Sequence, residues 1–152
     1  MALIPGKRKD IMSKTHNEIE ADAERELIHY FRRSGLRAYH IDIANIPGFH
    51  DVMAIGKNIC LTEVKFHRPG KSAKLKDLME PSQPVFMESI QDAGFERTFL
   101  CVFDGEDYNL YKTSDILMHS MDGDSYYDLH PIAQSVGPDA IANIIRSKCH
   151  GL

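Results

Sequence analysis

The chain has 152 residues and a mass of 17.2 kDa, with 43% hydrophobic and 26% charged residues, which excludes a mostly disordered protein and leaves room for one core. No apolar run approaches the roughly 20 residues of a membrane helix, and Met1 to Lys14 lacks the apolar stretch of a signal peptide, so a cytoplasmic protein without a membrane partner is expected. The net charge of −4 and pI near 6.0 mean that any binding of nucleic acid has to rest on local charge rather than on the balance of the whole chain.

Residues 1–14 read as a flexible basic arm ahead of one domain over 15–152. A helix is predicted from Asn17 to Ser34, where Ile19, Ala23, Leu27 and Phe31 recur every four residues and Gly35 follows as a C-terminal stop. Alternation of Tyr39, Ile41 and Ile43 predicts a strand. Val52 to Ile55 predicts a second, and the turn Gly56-Lys57-Asn58 leads into a third over Ile59 to His67. Residues 67–80 read as a polar connection rich in lysine. A helix is expected from Ser82, as its N-cap, to Ala93 before Gly94. The continuous apolar run Thr98 to Phe103 predicts a buried strand. Asp104-Gly105 turns the chain into another, Tyr108 to Lys112. A short helix is expected from Thr113 to Met118, a loop over Met121 to Pro131, and a last helix from Pro138 carrying Ile141, Ile144 and Ile145.

Short links make the first three strands antiparallel neighbours, and the helix after the third permits a right-handed crossover to a parallel fourth. The expected fold class is α/β, a mixed central β-sheet flanked by helices on both faces. The core spans about residues 17–112, with a C-terminal helical addition over 113–152. Three cysteines without tight spacing support neither a disulfide framework nor a zinc motif. Cys60 and Cys101 sit in apolar runs and read as core residues, Cys149 as a terminal thiol without a partner. None of the eight histidines forms a metal-ligand pair at helical spacing on a clear helix.

The sharpest chemical signal is Asp51 followed by Glu63-Val64-Lys65. Side chains alternate along a strand, so Glu63 and Lys65 share a face and Val64 points away. The short turn between the second and third strands returns Asp51 beside Glu63, so two carboxylates and a lysine converge. Hard oxygen ligands of this kind suit Mg²⁺ or Mn²⁺. On these residues alone, a strand-end ion pair between Glu63 and Lys65 with Asp51 in a turn is the simpler alternative. Between Glu63 and Asp77 there is no acidic residue, while Lys65, Arg68, Lys71, Lys74 and Lys76 are basic and His67 stands among them. This is a local basic patch suited to sequence-independent phosphate contacts, or else a solvated loop.

With its surroundings, the set resembles the PD-(D/E)XK nuclease superfamily. Gly48-Phe49-His50-Asp51-Val52 stands where that family has its first acidic motif, and Thr62-Glu63-Val64-Lys65 matches its E-x-K signature. The element order resembles the family's αβββαβ, restriction-endonuclease-like core, closest to archaeal Holliday junction resolvases and small VRR-type replication-repair nucleases. The resemblance implies that Glu24, on the first helix, joins Asp51 and Glu63 at the metal, with Glu20 one turn earlier as its rival. It also implies a role for Gln83, which with Phe86 resembles the Gln-x-x-aromatic helix of the VRR-type enzymes. His50 stands where proline often precedes the aspartate, and would contact phosphate or cap a turn. Asn45 stands where junction resolvases tend to have serine.

The implied function is a Mg²⁺- or Mn²⁺-dependent endonuclease acting on branched or duplex DNA in recombination, repair or replication, leaving 5′-phosphate ends. A non-catalytic nucleic-acid-binding module on the same scaffold is the alternative. Symmetrical cutting of two strands needs two sites, so a homodimer is expected. The last helix, or the strand from Tyr108 to Tyr111, is its candidate surface.

Overall fold

The computed structural model describes residues 13–43, 46, 48 and 50–151. The basic arm as far as residue 12, together with Asn45 and Phe49, lies outside the described residues. Helix α1 (His16–Arg33) begins at a reciprocal cap. The Thr15 hydroxyl accepts from the Glu18 amide, and the Glu18 carboxylate accepts from the Thr15 amide. It buries Ile19, Ala23, Leu27 and Phe31, the stripe its four-residue spacing predicts. Gly35, at φ 101°, takes the left-handed position after the cap, and the Leu36 amide returns to the Phe31 carbonyl.

Strands β1 (Arg37–His40), β2 (Val52–Ile55) and β3 (Ile59–Phe66) form an antiparallel meander. The first differs from its prediction. Ala38 is the buried residue of β1, while Tyr39 and Ile43 are exposed, so the apolar alternation from Tyr39 to Ile43 does not mark the core face. The register is the reason: it sets Ala38 opposite buried Ala54, on the face that packs into the core, and Tyr39 opposite Met53 on the other.

The lysine-rich connection is not plain coil. It contains a short helix, α2 (Leu75–Leu78), seated by fully buried Leu75. Helix α3 (Ser82–Asp92) follows. Its N-cap is Pro81 rather than Ser82, and the side chain that closes this turn belongs to Gln83, whose Oε1 accepts from the Glu80 amide at 2.8 Å. Strand β4 (Thr98–Phe103) then lies parallel to β3, and β5 (Tyr108–Lys112) returns antiparallel through a turn in which Asp104 accepts from the amides of Glu106 and Asp107.

Helix α4 (Thr113–Ile116) leads to a segment with a 3-10 turn (Tyr126–Asp128) inside the expected loop. Strand β6 (Ala133–Val136) pairs with β5, and helix α5 (Pro138–Cys149) closes the chain. No expectation covers β6. It is short, its middle is Gln134-Ser135, and Ser135 sits at φ 52° beside a register shift, so it has neither alternation nor a run of β-branched residues.

The sheet order is β1-β2-β3-β4-β5-β6, mixed only at the parallel β3–β4 pair. One face packs Val52, Ala54, Val64, Phe66, Phe99, Cys101 and Phe103 against α1 and α5. The other packs Leu100, Val102 and Tyr111 against Leu75, Met87, Ile116, Tyr126 and Leu129. The chain is thus an α/β protein, a six-stranded mixed sheet flanked by helices, and α1, β1, β2, β3, α3 and β4 follow the αβββαβ order with α2 inserted. Ile141, Ile145, Tyr108 and Tyr111 are spent on these cores and Ile144 is partly buried against the first, so these side chains, expected as a dimer surface, are largely taken up within the chain. Cys149 is a core residue as well, a free thiol that donates to the Ala54 carbonyl at 3.7 Å and lies beside the free thiol of Cys60. Among the described residues no helix is long and apolar enough to cross a membrane.

The loop before β2 rests on the start of α3 at Gly48, which has φ 81° and where a Cβ would stand 2.3 Å from the Ser82 carbonyl oxygen. Gly48→Ala is therefore expected to cost about 1–3 kcal/mol, read as a fall of several degrees in melting temperature. An unchanged melting curve would show that this contact does not hold the loop.

Candidate active site

Strand β3 is longer than β2. The pairing of β2 with β3 ends at Val52 and Thr62, while β3 continues to Phe66 alongside β4. Amides alternate sides along a strand. The Leu61 amide turns toward the β4 side, to the Arg97 carbonyl, so those of Val64 and Phe66 turn toward the side that β2 has left. Buried amides without acceptors cost about 1–3 kcal/mol each. Carboxylates fill both places. Asp51 Oδ2 accepts from the Val64 amide at 3.0 Å, and Glu20 Oε2 accepts from the Phe66 amide at 3.0 Å.

Continued by one residue, the β2–β3 register sets Asp51 opposite Glu63. Directly paired residues share a sheet face, so Asp51, Glu63 and Lys65 stand on one face. There they line an open cleft of about 400 Å³ with Glu20 and Glu24 from α1 and Gln83 from α3. The sequence names Glu20 and Glu24 as rivals, and the structure brings both to the cleft wall. Their four-residue spacing on one helix is the signal that they belong together. Glu24 Oε1 accepts from His40 Nδ1 at 2.5 Å, and Glu20 also meets His16 Nε2 at 2.8 Å.

The electrostatics follow from this crowding. Glu63 is 1% exposed, and its Oε1 has no hydrogen-bond partner. Burial first, then the bond to Asp51 and its charge, push the Glu63 carboxyl well above the usual carboxylate range, with Lys65 pulling the other way. Glu24 is raised too, by burial and then by Asp51, against the bond to His40. His40 is raised by that same bond. Lys65 is buried with its neighbours at 8% exposure.

Other expected residues are placed differently. His50 is turned inward, and neither of its ring nitrogens has a hydrogen-bond partner among the described residues, so it caps no turn. It is fully buried, its ring lies 5.9 Å from that of Phe86, and burial lowers its pKa to about 4, so it is neutral at pH 7. His67 is also interior. Its Nε2–H donates to the Lys71 carbonyl and its Nδ1 accepts from the Tyr126 hydroxyl, both at 3.0 Å, which leaves no ring nitrogen for DNA. The Arg68 guanidinium lies 5.2 Å from the centre of the Phe66 ring. Lys71, Lys74 and Lys76 are exposed.

No family model and no curated protein matches the chain. Among solved structures the chain is similar to Hjc, a Holliday junction resolvase from the archaeal hyperthermophile Archaeoglobus fulgidus, at 15% identity and a TM-score of 0.48, over 78% of this chain and 96% of that one.

A raised carboxyl pKa in the folded state makes stability fall with pH. Below the carboxylate range Glu63 is protonated whether folded or not. As pH rises, the unfolded chain ionises first and stability drops until the folded-state pKa is passed. In EDTA, Glu63→Gln should therefore melt above the parent at pH 7, by about 2–4 °C for each kcal/mol relieved, and the gap should close toward pH 4. Thermal denaturation across that range checks this. A variant that melts below the parent at pH 7 contradicts it.

Proposed function

We propose that this chain is a metal-dependent DNA endonuclease of the PD-(D/E)XK type, with Asp51, Glu63 and Glu24 as metal ligands and Lys65 and Gln83 completing the catalytic set. The observation that carries the reading is Glu63, a desolvated carboxyl beside Asp51 with an unbonded buried oxygen. Carboxylates gathered this way repel unless a cation offsets them, and an all-oxygen set suits Mg²⁺ or Mn²⁺. A hard divalent ion held there supplies positive charge to the scissile phosphate and to the water that attacks it.

The chain's own residues supply the rest. The Lys65 ammonium, on the same face as both carboxylates, positions the attacking water and offsets charge as the P–O3′ bond breaks. The water oxygen bonds to phosphorus as P–O3′ breaks, the attacking water gives a proton to solvent, the leaving O3′ takes one from a solvent water, and the 5′ end keeps the phosphate. Gln83, anchored to the Glu80 amide, fixes the wall of the cleft where the DNA backbone enters. Arg68, Lys71, Lys74 and Lys76 hold flanking phosphates, a role from which His67 is removed by its two internal bonds.

The resemblance to archaeal junction resolvases and VRR-type nucleases supports a branched or junction substrate, met in the cytoplasm during recombination, repair or replication. With one such set of Asp51, Glu63 and Lys65 among the described residues, paired cuts call for a homodimer.

The test is incubation of the purified chain with labelled four-way junction, flap, duplex and single-stranded DNA in Mg²⁺, Mn²⁺ or EDTA. Cleavage is expected only with metal. Asp51→Asn, Glu63→Gln and Lys65→Ala should each lower the rate by about 10²–10³, the loss typical of one electrostatic group. A Glu63→Gln protein that cuts as fast as the parent overturns the assignment. Replacing Lys71, Lys74 and Lys76 together by alanine should weaken binding to all sequences alike. It should also reduce the slope of log K against log salt by roughly 0.9 per lost contact on duplex DNA. An unchanged slope would remove these lysines from the interface.

A further inference from the structure

We propose that Asp115, His119 and His130 form a second metal site, apart from the cleft, that takes a borderline transition ion of the Zn²⁺ class. The three residues each offer one ligand atom, and these atoms lie within 4.8 Å of one another. Two features of the fold bring them together. After α4 the chain keeps turning, with the His119 amide on the Ile116 carbonyl, so Asp115 and His119 fall four residues apart on one side. Buried Leu129 then anchors the returning segment, and the His130 amide donates to Asp115 Oδ2 at 2.8 Å while its ring nitrogen Nδ1 stands 3.6 Å from Asp115 Oδ1.

A second carboxylate points to a ligand as well. His119 Nδ1 bonds to Asp124 Oδ2 at 3.2 Å, and Asp124 is itself fixed by the Ser120 amide at 2.8 Å. A histidine whose Nδ1–H is held by a carboxylate presents its other nitrogen as a lone pair of raised basicity, the usual support behind a metal-bound imidazole. Two imidazoles and one carboxylate favour Zn²⁺, Co²⁺ or Ni²⁺ over Mg²⁺. Zinc bonds of about 2.0–2.2 Å require the three ligand atoms to close by about an ångström. His130, with 89% of its side chain exposed, is free to do so. The ion would tie α4 to the segment after the 3-10 turn, closing the loop that carries Tyr126 and Tyr127.

The experiment uses the full chain, stripped with EDTA and desalted, then titrated with Co²⁺ and followed by its visible d–d absorption, with Zn²⁺ as competitor. One equivalent should bind, Zn²⁺ should displace it, and millimolar Mg²⁺ should not. The Asp51→Asn, Glu63→Gln double variant should keep the band. His119→Ala should lose it, and Asp124→Asn should weaken binding about 10–100-fold. Because His130 is exposed, His130→Ala tests the site even if His119→Ala does not fold, and should weaken binding at least tenfold. The proposal is overturned if the band survives His130→Ala undiminished, if it disappears with the Asp51 and Glu63 substitutions, or if no Co²⁺ binds at 0.1 mM.

Discussion

The unequal length of two neighbouring strands governs the rest of this structure. Where β2 stops at Val52, the outer amides of β3 would be left without acceptors, and a sheet interior does not tolerate that. The carboxylates of Asp51 and Glu20 take the place of the missing strand. Acidic side chains from a loop and from a helix are thereby locked to one backbone. Asp51 is placed by a loop next to its own strand, Glu20 by the packing of α1 on the sheet. Both then join the hydrogen-bond ladder that sets the sheet.

That arrangement has an electrostatic cost. The oxygens fixed by β3 crowd around Glu63, which the sheet itself desolvates, so the folded chain holds Glu63 and Glu24 away from their ordinary ionisation. Lys65 and His40 offset part of this from two sides, one along the strand and one across from β1. Behind this polar wall the same side of the sheet packs Leu100, Val102 and Tyr111 into the second apolar core.

Much of this was legible in the sequence, for a physical reason. Strands β2, β4 and β5 and helix α5 begin where expected because apolar patterning and turn residues agree locally. The convergence of Asp51, Glu63 and Lys65 follows from the period of a strand and one tight turn. What was not legible depends on tertiary context. That β1 buries Ala38 rather than the larger Tyr39 is decided by its register with β2, which sets Ala38 opposite buried Ala54. The backbone role of Glu20 depends on β3 outrunning its partner. His50 and His67 look polar and local in sequence, yet one packs on Phe86 and the other bonds Tyr126, a residue 59 positions away. Strand β6 carries no pattern of its own and exists because β5 offers it an edge.

The connection after Lys65 bears on how DNA would be engaged. The His67 amide donates to the Phe103 carbonyl and its ring to the Lys71 carbonyl, Lys74 bridges to Ser125, Leu75 is buried, and the Lys76 amide donates to the Met121 carbonyl. A segment tied at each of these points roots its lysines on a fixed backbone, while Lys71, Lys74 and Lys76 keep exposed side chains. The backbone order that a loose tether would surrender on meeting a phosphate chain is already given up in folding. On the proposed function, only the side-chain freedom of these lysines would be left to lose when they meet phosphate.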